Sequence, residues 1–228
     1  MIAKYLFRIF ISRYFKKLIE LIIYIKLKHK SECANIILTP GKVGSTSVYQ
    51  SLKKSGLKNL YHLHYINKTS ITREGHLEKE SSRASIPLHL IYSQLLTSML
   101  YKFKTVNLVI IVREPVKRFI SSYYQNLFRD KNNFNRLSLN EAYINKSIFK
   151  QLKESNDLDI WFNQEILETT GIDVLEDFNR NNKFNSFSSG LFNLSVFRLE
   201  DLDPSLYLEL HKFFKKNGSP KQIAADYL

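Results

Sequence analysis

Apolar positions along the chain fall into short runs that alternate with stretches of helical spacing. The short runs are rich in branched residues and predict strands over 35–39, 59–64, 106–112 and 194–199. Apolar residues three and four positions apart predict helices over 45–55, 87–103, 115–128, 139–153, 158–169 and 204–216. Because helical stretches separate the first three strands, the pattern favours an α/β fold with a central parallel sheet flanked by helices.

Polar segments separate several of these elements. Residues 65–85 are polar and predict a long loop. Asn-rich segments near 131–136 and 179–185 predict solvated turns. No internal repeat or low-complexity tract interrupts the pattern, so we expect one α/β domain over 31–228.

The first thirty residues differ from the rest because they are both apolar and basic. Polar side chains recur there at helical spacing, at Lys4, Arg8, Ser12, Lys16 and Glu20. Apolar side chains lie largely apart from them, at Leu6, Ile9, Phe10, Leu18, Ile19 and Ile22. The longest uncharged run is far shorter than the roughly 20 apolar residues of a spanning helix. Residues 1–30 therefore predict a basic amphipathic helix on an anionic membrane surface, or one that packs on the domain itself.

Charge and cysteine content limit the cellular compartments and the partners that suit this chain. The net charge is +13, and 1–30 contributes +7 of it, which leaves the other 198 residues only moderately basic. Cys33 is the single cysteine, which excludes an internal disulfide and a cysteine-based zinc cluster and fits a reducing compartment. We expect a cytoplasmic protein on the inner face of the membrane. The basic charge lies on an apolar helix and not in a basic-aromatic groove, which disfavours nucleic acid as a partner.

The segment TPGKVGSTS, residues 39–47, joins the first predicted strand to the first predicted helix. Gly41 and Gly44 allow the backbone to approach a ligand closely, and Lys42 adds a positive charge. The hydroxyls of Ser45, Thr46 and Ser47 add hydrogen-bond donors. A helix N-terminus adds bare N–H groups and a favourable dipole, so this segment predicts an anion site. The lysine precedes the second glycine, unlike G-x-x-x-x-G-K-[ST], which argues against an ordinary ATP or GTP loop.

A second candidate anion site follows the third predicted strand. Arg113 comes at the strand end, Pro115 fits the first helical turn, and Ser121 lies two turns into that helix. Ligands of open parallel sheets bind at the carboxyl ends of the strands, so Lys42 and Arg113 are positioned to meet one ligand with two anionic groups. The alternative is that Arg113 and Arg118 form surface ion pairs.

These segments together resemble the sulfotransferase family. The loop at 42–47 is similar to its 5′-phosphosulfate loop, and REPVKRFISSYY, 113–124, to its 3′-phosphate motif. FRLEDL, 197–202, resembles a late RYEDL segment, and LYHLHYI, 60–66, resembles the YHGH segment of uronyl 2-O-sulfotransferases. WFNQEILETTGIDV, 161–174, resembles a bacterial group of capsular polysaccharide synthesis proteins. The resemblance covers roughly 35–202 and implies a P-loop-like three-layer fold.

By resemblance, the donor is 3′-phosphoadenosine 5′-phosphosulfate, and a sulfuryl group moves to a carbohydrate hydroxyl, without a metal. Lys42 would stabilise the leaving phosphate. The backbone from Gly44 to Ser47, with the hydroxyls of Ser45 and Thr46, would hold the 5′-phosphate. Arg113 and Ser121 would hold the 3′-phosphate. Pro-Gly stands before the lysine where many members have Pro directly, and many members continue beyond the point where this chain ends, which points to a truncated member or to cofactor-binding residues supplied from elsewhere.

Two histidines are candidates for the base that takes the proton of the acceptor hydroxyl. His62 and His64 are two positions apart, so in a strand they share a face. His64 is favoured as the base because it lies nearer the end of the predicted strand, with His62 orienting it or contacting the sulfuryl oxygens. Structural roles for one or both remain open, as do the weaker candidates His76 and His89. Trp161 is predicted to be a core residue.

Three function classes compete on this sequence. The first is a carbohydrate sulfotransferase acting on a surface or capsular polysaccharide. The second is another transferase of capsular polysaccharide synthesis, such as one that uses a nucleotide sugar. The third is a non-catalytic nucleotide-binding protein with a membrane helix. Arg113 with Ser121 favours the first over the second because nucleotide sugars lack a 3′-phosphate, and intact Lys42 and His64 disfavour the third.

Overall fold

A central five-stranded sheet organises the protein, as seen in a computed structural model that describes residues 17–18, 21–22, 24–25, 32–80, 88–129 and 157–217. The strands are β1 (Cys33–Leu38), β2 (Leu60–Leu63), β3 (Thr105–Val112), β4 (Phe184–Ser189) and β5 (Phe192–Arg198). Their order in the sheet is β2-β1-β3-β5-β4. All neighbours are parallel except β4, which pairs antiparallel with β5 at one edge.

Helices connect and cover these strands. The α-helices are α1 (Ser45–Lys54), α2 (Lys68–Glu80), α3 (Leu88–Met99), α4 (Pro115–Arg129), α5 (Asp157–Trp161), α6 (Glu168–Thr170), α7 (Val174–Asp177) and α8 (Pro204–Lys216). A π-helical turn, Phe162–Leu167, joins α5 to α6. Short 3-10 turns follow α3 and β5, at Leu100–Lys102 and Leu199–Asp201.

The sheet separates two hydrophobic clusters, which gives the fold three layers. On one face, alternate residues of β1 and β3 pack with α1 and α8, in a cluster that includes Ile37, Val109, Val48, Leu52, Leu210 and Phe214. On the other face, the intervening residues pack with α3 and the turn after α5, in a cluster that includes Ile36, Leu108, Leu96, Trp161 and Ile166. Every residue of β1 is buried, as expected for a strand covered on both faces. The predicted α/β sheet flanked by helices is confirmed.

Strand register brings several loops to one edge of the sheet. Leu38 pairs with Leu63 of β2 and with Ile110 of β3, and Val112 pairs with Arg198 of β5. The carboxyl ends of these four parallel strands therefore lie side by side, which is where open α/β sheets bind ligands. The loops that carry the candidate site residues start from this edge.

The predicted long loop over 65–85 is wrong, because α2 occupies Lys68–Glu80. Asn67 starts this helix, and its Oδ1 accepts hydrogen bonds from the N–H groups of Thr69 (2.8 Å) and Ser70 (3.4 Å). Hydrophobic periodicity gives little sign of this helix, because among the side chains described at positions 68–76 only Ile71 is both apolar and buried. The cap residue was the available signal.

A solvated turn over 179–185 is wrong at its end, because β4 begins at Phe184. β4 and β5 form a hairpin whose turn contains Gly190 at φ 56°, and Phe184 pairs with Phe197. Serine and asparagine dominate β4, so its composition suggested a turn although its alternation is that of a half-buried edge strand. The sheet is consequently not purely parallel.

The other predicted elements show three outcomes. Strands at 35–39, 59–64, 106–112 and 194–199 and helices at 45–55, 87–103, 115–128 and 204–216 are confirmed to within two residues, apart from the last turn of 87–103, which is 3-10. The helix predicted over 158–169 is present but contains the π-helical turn. The solvated turn predicted near 131–136, the helix predicted over 139–153 and most of the one over 1–30 lie outside the described residues. No helix among those described is both long and apolar enough to cross a membrane.

Candidate functional site

The loop between β1 and α1, residues 39–47, is termed the anion loop and has an unusual backbone. Gly41, Lys42 and Gly44 have φ angles of 83°, 61° and 66°. A lysine in this left-handed region is uncommon and costs about 1–2 kcal/mol, a strain that tends to be kept at ligand sites. Left-handed residues in such a loop turn backbone N–H groups toward a common concavity that suits an anion.

The start of α1 faces this concavity. Gly44 is the N-cap residue and has no side chain with which to cap the first N–H groups of the helix. Thr46 and Ser47, in the first helical turn, are exposed. The backbone and hydroxyl donors predicted for the loop are therefore accessible at Thr46 and Ser47.

Ser45 has a different environment from its neighbours. It is only 5% exposed, and its Oγ lies 2.8 Å from His62 Nε2. The Thr39 hydroxyl donates to the same Oγ at 3.3 Å. The Ser45 hydroxyl thus connects the anion loop to β2, and a phosphate contact through it requires exchange of these bonds, whereas its backbone N–H is subject to no such constraint.

Two arginines fasten the anion loop to β3 and α4. Arg113 follows β3 as predicted, and its Nη1 donates to the Lys42 carbonyl at 3.4 Å. Arg118, on α4, donates to the carbonyls of Gly41 (3.2 Å) and Pro40 (3.1 Å). The loop-holding role of Arg118 was not predicted, because side-chain to backbone contacts across 77 positions leave no pattern in the sequence. These contacts give Arg118 a role in holding the anion loop in addition to any surface ion pair.

Arg113 also has an unsatisfied donor. Among the residues that the structure describes, its Nε atom is buried and has no hydrogen-bond partner. A buried guanidinium N–H without an acceptor costs free energy, so an acceptor from a ligand is expected there. Ser121 lies half-buried two turns into α4, on the helix that Arg113 precedes.

The two predicted histidines lie together beside the anion loop. The rings of His62 and His64 are 5.4 Å apart, which confirms that they share a face. His62 stacks on Tyr49 of α1 with centroids 5.7 Å apart. Burial, with a smaller contribution from the nearby His64, lowers the pKa of His62 to about 4. His62 is therefore a neutral ring whose Nε2 is engaged by Ser45.

His64 has a defined tautomer in its neutral form. Its Nδ1 lies 2.8 Å from the Thr39 carbonyl oxygen, which can only accept a hydrogen bond. Nδ1 must therefore carry the proton, and Nε2 keeps a lone pair, which is the form a general base requires. The His89 ring lies 6.4 Å from that of His64.

A cavity of about 510 Å³ opens at the carboxyl ends of β3 and β5. Its lining combines four cations with two aromatic rings, namely Arg113, Lys117, Arg180, Arg198, Phe162 and Phe178. Two carboxylates, Glu114 and Glu200, also border it. Glu114 accepts the N–H groups of Val116 (3.0 Å) and Lys117 (2.8 Å), so this carboxylate already occupies the N-terminus of α4. An anion in the cavity would consequently depend on the arginine and lysine side chains.

The site therefore brings together groups suited to an anion and a histidine nitrogen with a lone pair. Within the described ranges no cluster of three or more His, Cys, Asp or Glu suits a metal ion. No curated protein and no solved structure matches the sequence. A family model described as the sulfotransferase family matches residues 41–191, a span that includes Lys42, both histidines and Arg113. Since this match covers more than half of the chain, the protein belongs to the sulfotransferase family.

Proposed function

We propose that the protein transfers a sulfuryl group from 3′-phosphoadenosine 5′-phosphosulfate to a hydroxyl of a carbohydrate. Membership of the sulfotransferase family supports sulfuryl transfer as the general chemistry. Such transfer needs in-line alignment, neutralised charge and a positioned base, much as phosphoryl transfer does. The residues around the anion loop fit each of these needs.

Arg113 is the observation that carries the choice of donor. One of its nitrogens holds the anion loop through Lys42, while its buried Nε has no partner within the described part of the chain. The same side chain borders the cavity at the ends of β3 and β5. A donor with one anionic group at the anion loop and a second near Arg113 satisfies both features, and the apolar rings of Phe162 and Phe178 suit a nucleoside base.

Separate residues of the chain would bind the donor and accept the proton. Lys42 binds the phosphosulfate and stabilises the leaving phosphate, with the backbone of Gly44 to Ser47 and the Thr46 hydroxyl. Arg113 and Ser121 hold the 3′-phosphate. His64 accepts the proton of the acceptor hydroxyl at Nε2. His62 keeps Ser45 and His64 in place as a neutral ring.

Binding should depend on the 3′-phosphate. A charge-assisted hydrogen bond is worth roughly 1.5–3 kcal/mol, so 3′-phosphoadenosine 5′-phosphate should bind about ten- to a hundredfold more tightly than adenosine 5′-phosphate. Titration calorimetry with the two nucleotides measures this ratio. Arg113→Gln should reduce it to near unity, because the group that recognises the extra phosphate is lost.

Lys117→Gln is the matched control, since Lys117 is an exposed cation at the same cavity. This change should weaken the binding of both nucleotides by a similar factor and so preserve the ratio of their affinities. Equal affinity of the wild-type protein for the two nucleotides would contradict the proposed donor.

A surface or capsular polysaccharide is the proposed acceptor. The support is the likeness of 161–174 to capsular polysaccharide synthesis proteins and the moderate positive charge of the domain. An assay with an unsulfated uronic-acid polysaccharide tests this acceptor. Sulfation is followed as release of 3′-phosphoadenosine 5′-phosphate. A nucleotide sugar offered in place of the donor should give no transfer.

We further propose that residues 1–30 hold the protein on the inner face of the cytoplasmic membrane. The described positions in this segment are helical, and four apolar side chains there are about half exposed: Leu18 (52%), Leu21 (54%), Ile22 (44%) and Ile25 (48%). Together with the net charge of +7, these side chains suit an anionic lipid surface. The full-length protein should float with anionic liposomes, and salt should weaken its flotation.

Liposomes made only of zwitterionic lipid provide the control, and they should recover much less protein. Deletion of residues 1–30 should abolish flotation on the anionic vesicles. Flotation that persists after this deletion would place the membrane contact outside residues 1–30 and contradict the proposal.

A further inference from the structure

The chain leaves the sheet after β2 through four residues, 64–67, which are termed the histidine turn. Three of its backbone groups are bound by side chains of the distant segment 161–165. The Trp161 indole N–H donates to the His64 carbonyl at 3.0 Å. Glu165 Oε2 accepts the N–H groups of Ile66 at 2.6 Å and of Asn67 at 2.8 Å.

Glu165 is an unusual residue to find in this place. It is 1% exposed and lies in the π-helical turn Phe162–Leu167. Burial raises the pKa of Glu165, and hydrogen bonds from Ser70, Ile66 and Asn67 oppose that rise. π-helical turns inside α-helices occur often at functional sites, and a buried carboxylate is costly unless its hydrogen bonds are made.

Further contacts fix the same turn from three directions. The Thr97 hydroxyl, on α3, donates to the Ile66 carbonyl at 3.1 Å. The Asn67 side chain donates to the Gln164 carbonyl at 2.9 Å. On the β1 side, Thr39 N–H donates to the Leu63 carbonyl, and the Thr39 carbonyl faces His64 Nδ1. The imidazole thus occupies the end of a turn that is held on both sides.

We propose that Trp161 and Glu165 are positioning residues that fix the orientation and tautomer of the His64 imidazole. This inference rests on the proposed function, in which His64 is the base. By holding the backbone at His64, Ile66 and Asn67, the pair keeps Nδ1–H on the Thr39 carbonyl and leaves the Nε2 lone pair for the acceptor hydroxyl. Catalytic groups need such support, since displacement by about 0.5 Å is already harmful.

The competing role is purely structural. Backbone N–H groups outside a sheet need acceptors wherever they are buried, and Glu165 supplies one at the start of α2 regardless of chemistry. A structural role alone predicts a lower melting temperature on substitution and no change in the His64 ring. The positioning role predicts a change in the ring itself.

Long-range proton–nitrogen NMR of the ¹⁵N-labelled full-length chain reports the tautomer of His64, assigned by comparison with His64→Ala. In the neutral wild-type ring the proton should lie on Nδ1, opposite the Thr39 carbonyl oxygen. Trp161→Phe keeps an aromatic ring and removes the N–H donor, and Glu165→Gln keeps the shape and weakens the two charge-assisted hydrogen bonds by removing the charge. Each should lower the ratio of the Nδ1–H to the Nε2–H tautomer by about two- to tenfold, the effect of one hydrogen bond.

Glu176→Gln is the matched control, because it makes the same change at an exposed carboxylate on α7 and should leave the ratio unchanged. If Glu165→Gln does not fold, Trp161→Phe decides alone. A wild-type tautomer ratio in the folded variants, with only the melting temperature lowered, would overturn the proposal. Binding of 3′-phosphoadenosine 5′-phosphate is measured on the same samples, and its absence in the wild type would overturn the proposed function without altering the ring result.

Discussion

His64→Ala should lower turnover of sulfuryl transfer by about 10²–10⁴-fold, the usual cost of losing a positioned base. Affinity for 3′-phosphoadenosine 5′-phosphate should change little. The reason is geometric: Nδ1 is committed to the Thr39 carbonyl, so Nε2 is the nitrogen left to take a proton. Release of the nucleotide product in the presence of polysaccharide gives the rate, and calorimetry gives the affinity.

His62→Ala and His211→Ala make this experiment specific. His62 has a pKa lowered to about 4, so it stays neutral from about pH 6 to pH 8 and cannot produce an acidic limb of the rate profile in that range. Its removal disturbs Ser45 and should affect donor binding as well as rate. His211 lies on α8, and its removal should have no effect on rate. If His64→Ala keeps wild-type turnover and only His62→Ala loses turnover, the base is His62 and not His64.

Much of this site follows from local sequence patterns. Alternation over two residues was enough to predict that the rings of His62 and His64 lie on one side of the chain, although β2 ends at Leu63 and His64 is the first residue beyond it. The strand, the glycines and the helical spacing that follow were enough to locate the anion loop. Each of these features depends on residues close together in the sequence, namely the two-residue period of a strand, glycines in the left-handed region and the start of a helix.

The contacts that hold the site together were not predictable in the same way. Arg118 reaches the anion loop across 77 positions, and Trp161 reaches His64 across 97. Trp161 was expected in the core, and it is, at 8% exposed, but its indole N–H still has a specific partner. Periodicity predicts which face a residue occupies and carries no information about the polar atom at the tip of its side chain.

Polar composition was the other source of error. α2 and β4 contain few buried apolar residues, so hydrophobic patterning assigned them to a loop and a turn. What forms α2 is the Asn67 cap and the contacts of the histidine turn, and what forms β4 is pairing with β5. The Ser45 hydroxyl shows the same limit, since its rotamer toward His62 depends on tertiary packing.

Lys42→Ala should lower both turnover and donor affinity. Its charge acts on the bound phosphosulfate and acts more strongly on the leaving phosphate as negative charge develops there. Loss of one preorganised charged donor costs about 10²–10³ in rate, and loss of its ground-state contact costs about ten- to a hundredfold in affinity. Alanine at φ 61° has much the same backbone strain as lysine, so the melting temperature should change little.

Lys54→Ala is the matched control, since Lys54 is an exposed lysine in the last turn of α1. It should leave rate and affinity unchanged. The control thereby distinguishes an effect specific to Lys42 from the effect of losing any one positive charge. A loss of affinity without any loss of turnover would mean that Lys42 binds ground state and transition state equally. Stabilisation of the leaving phosphate would then belong to other groups, with the backbone N–H groups of the anion loop as the next candidates, because they face the same anion at the start of α1.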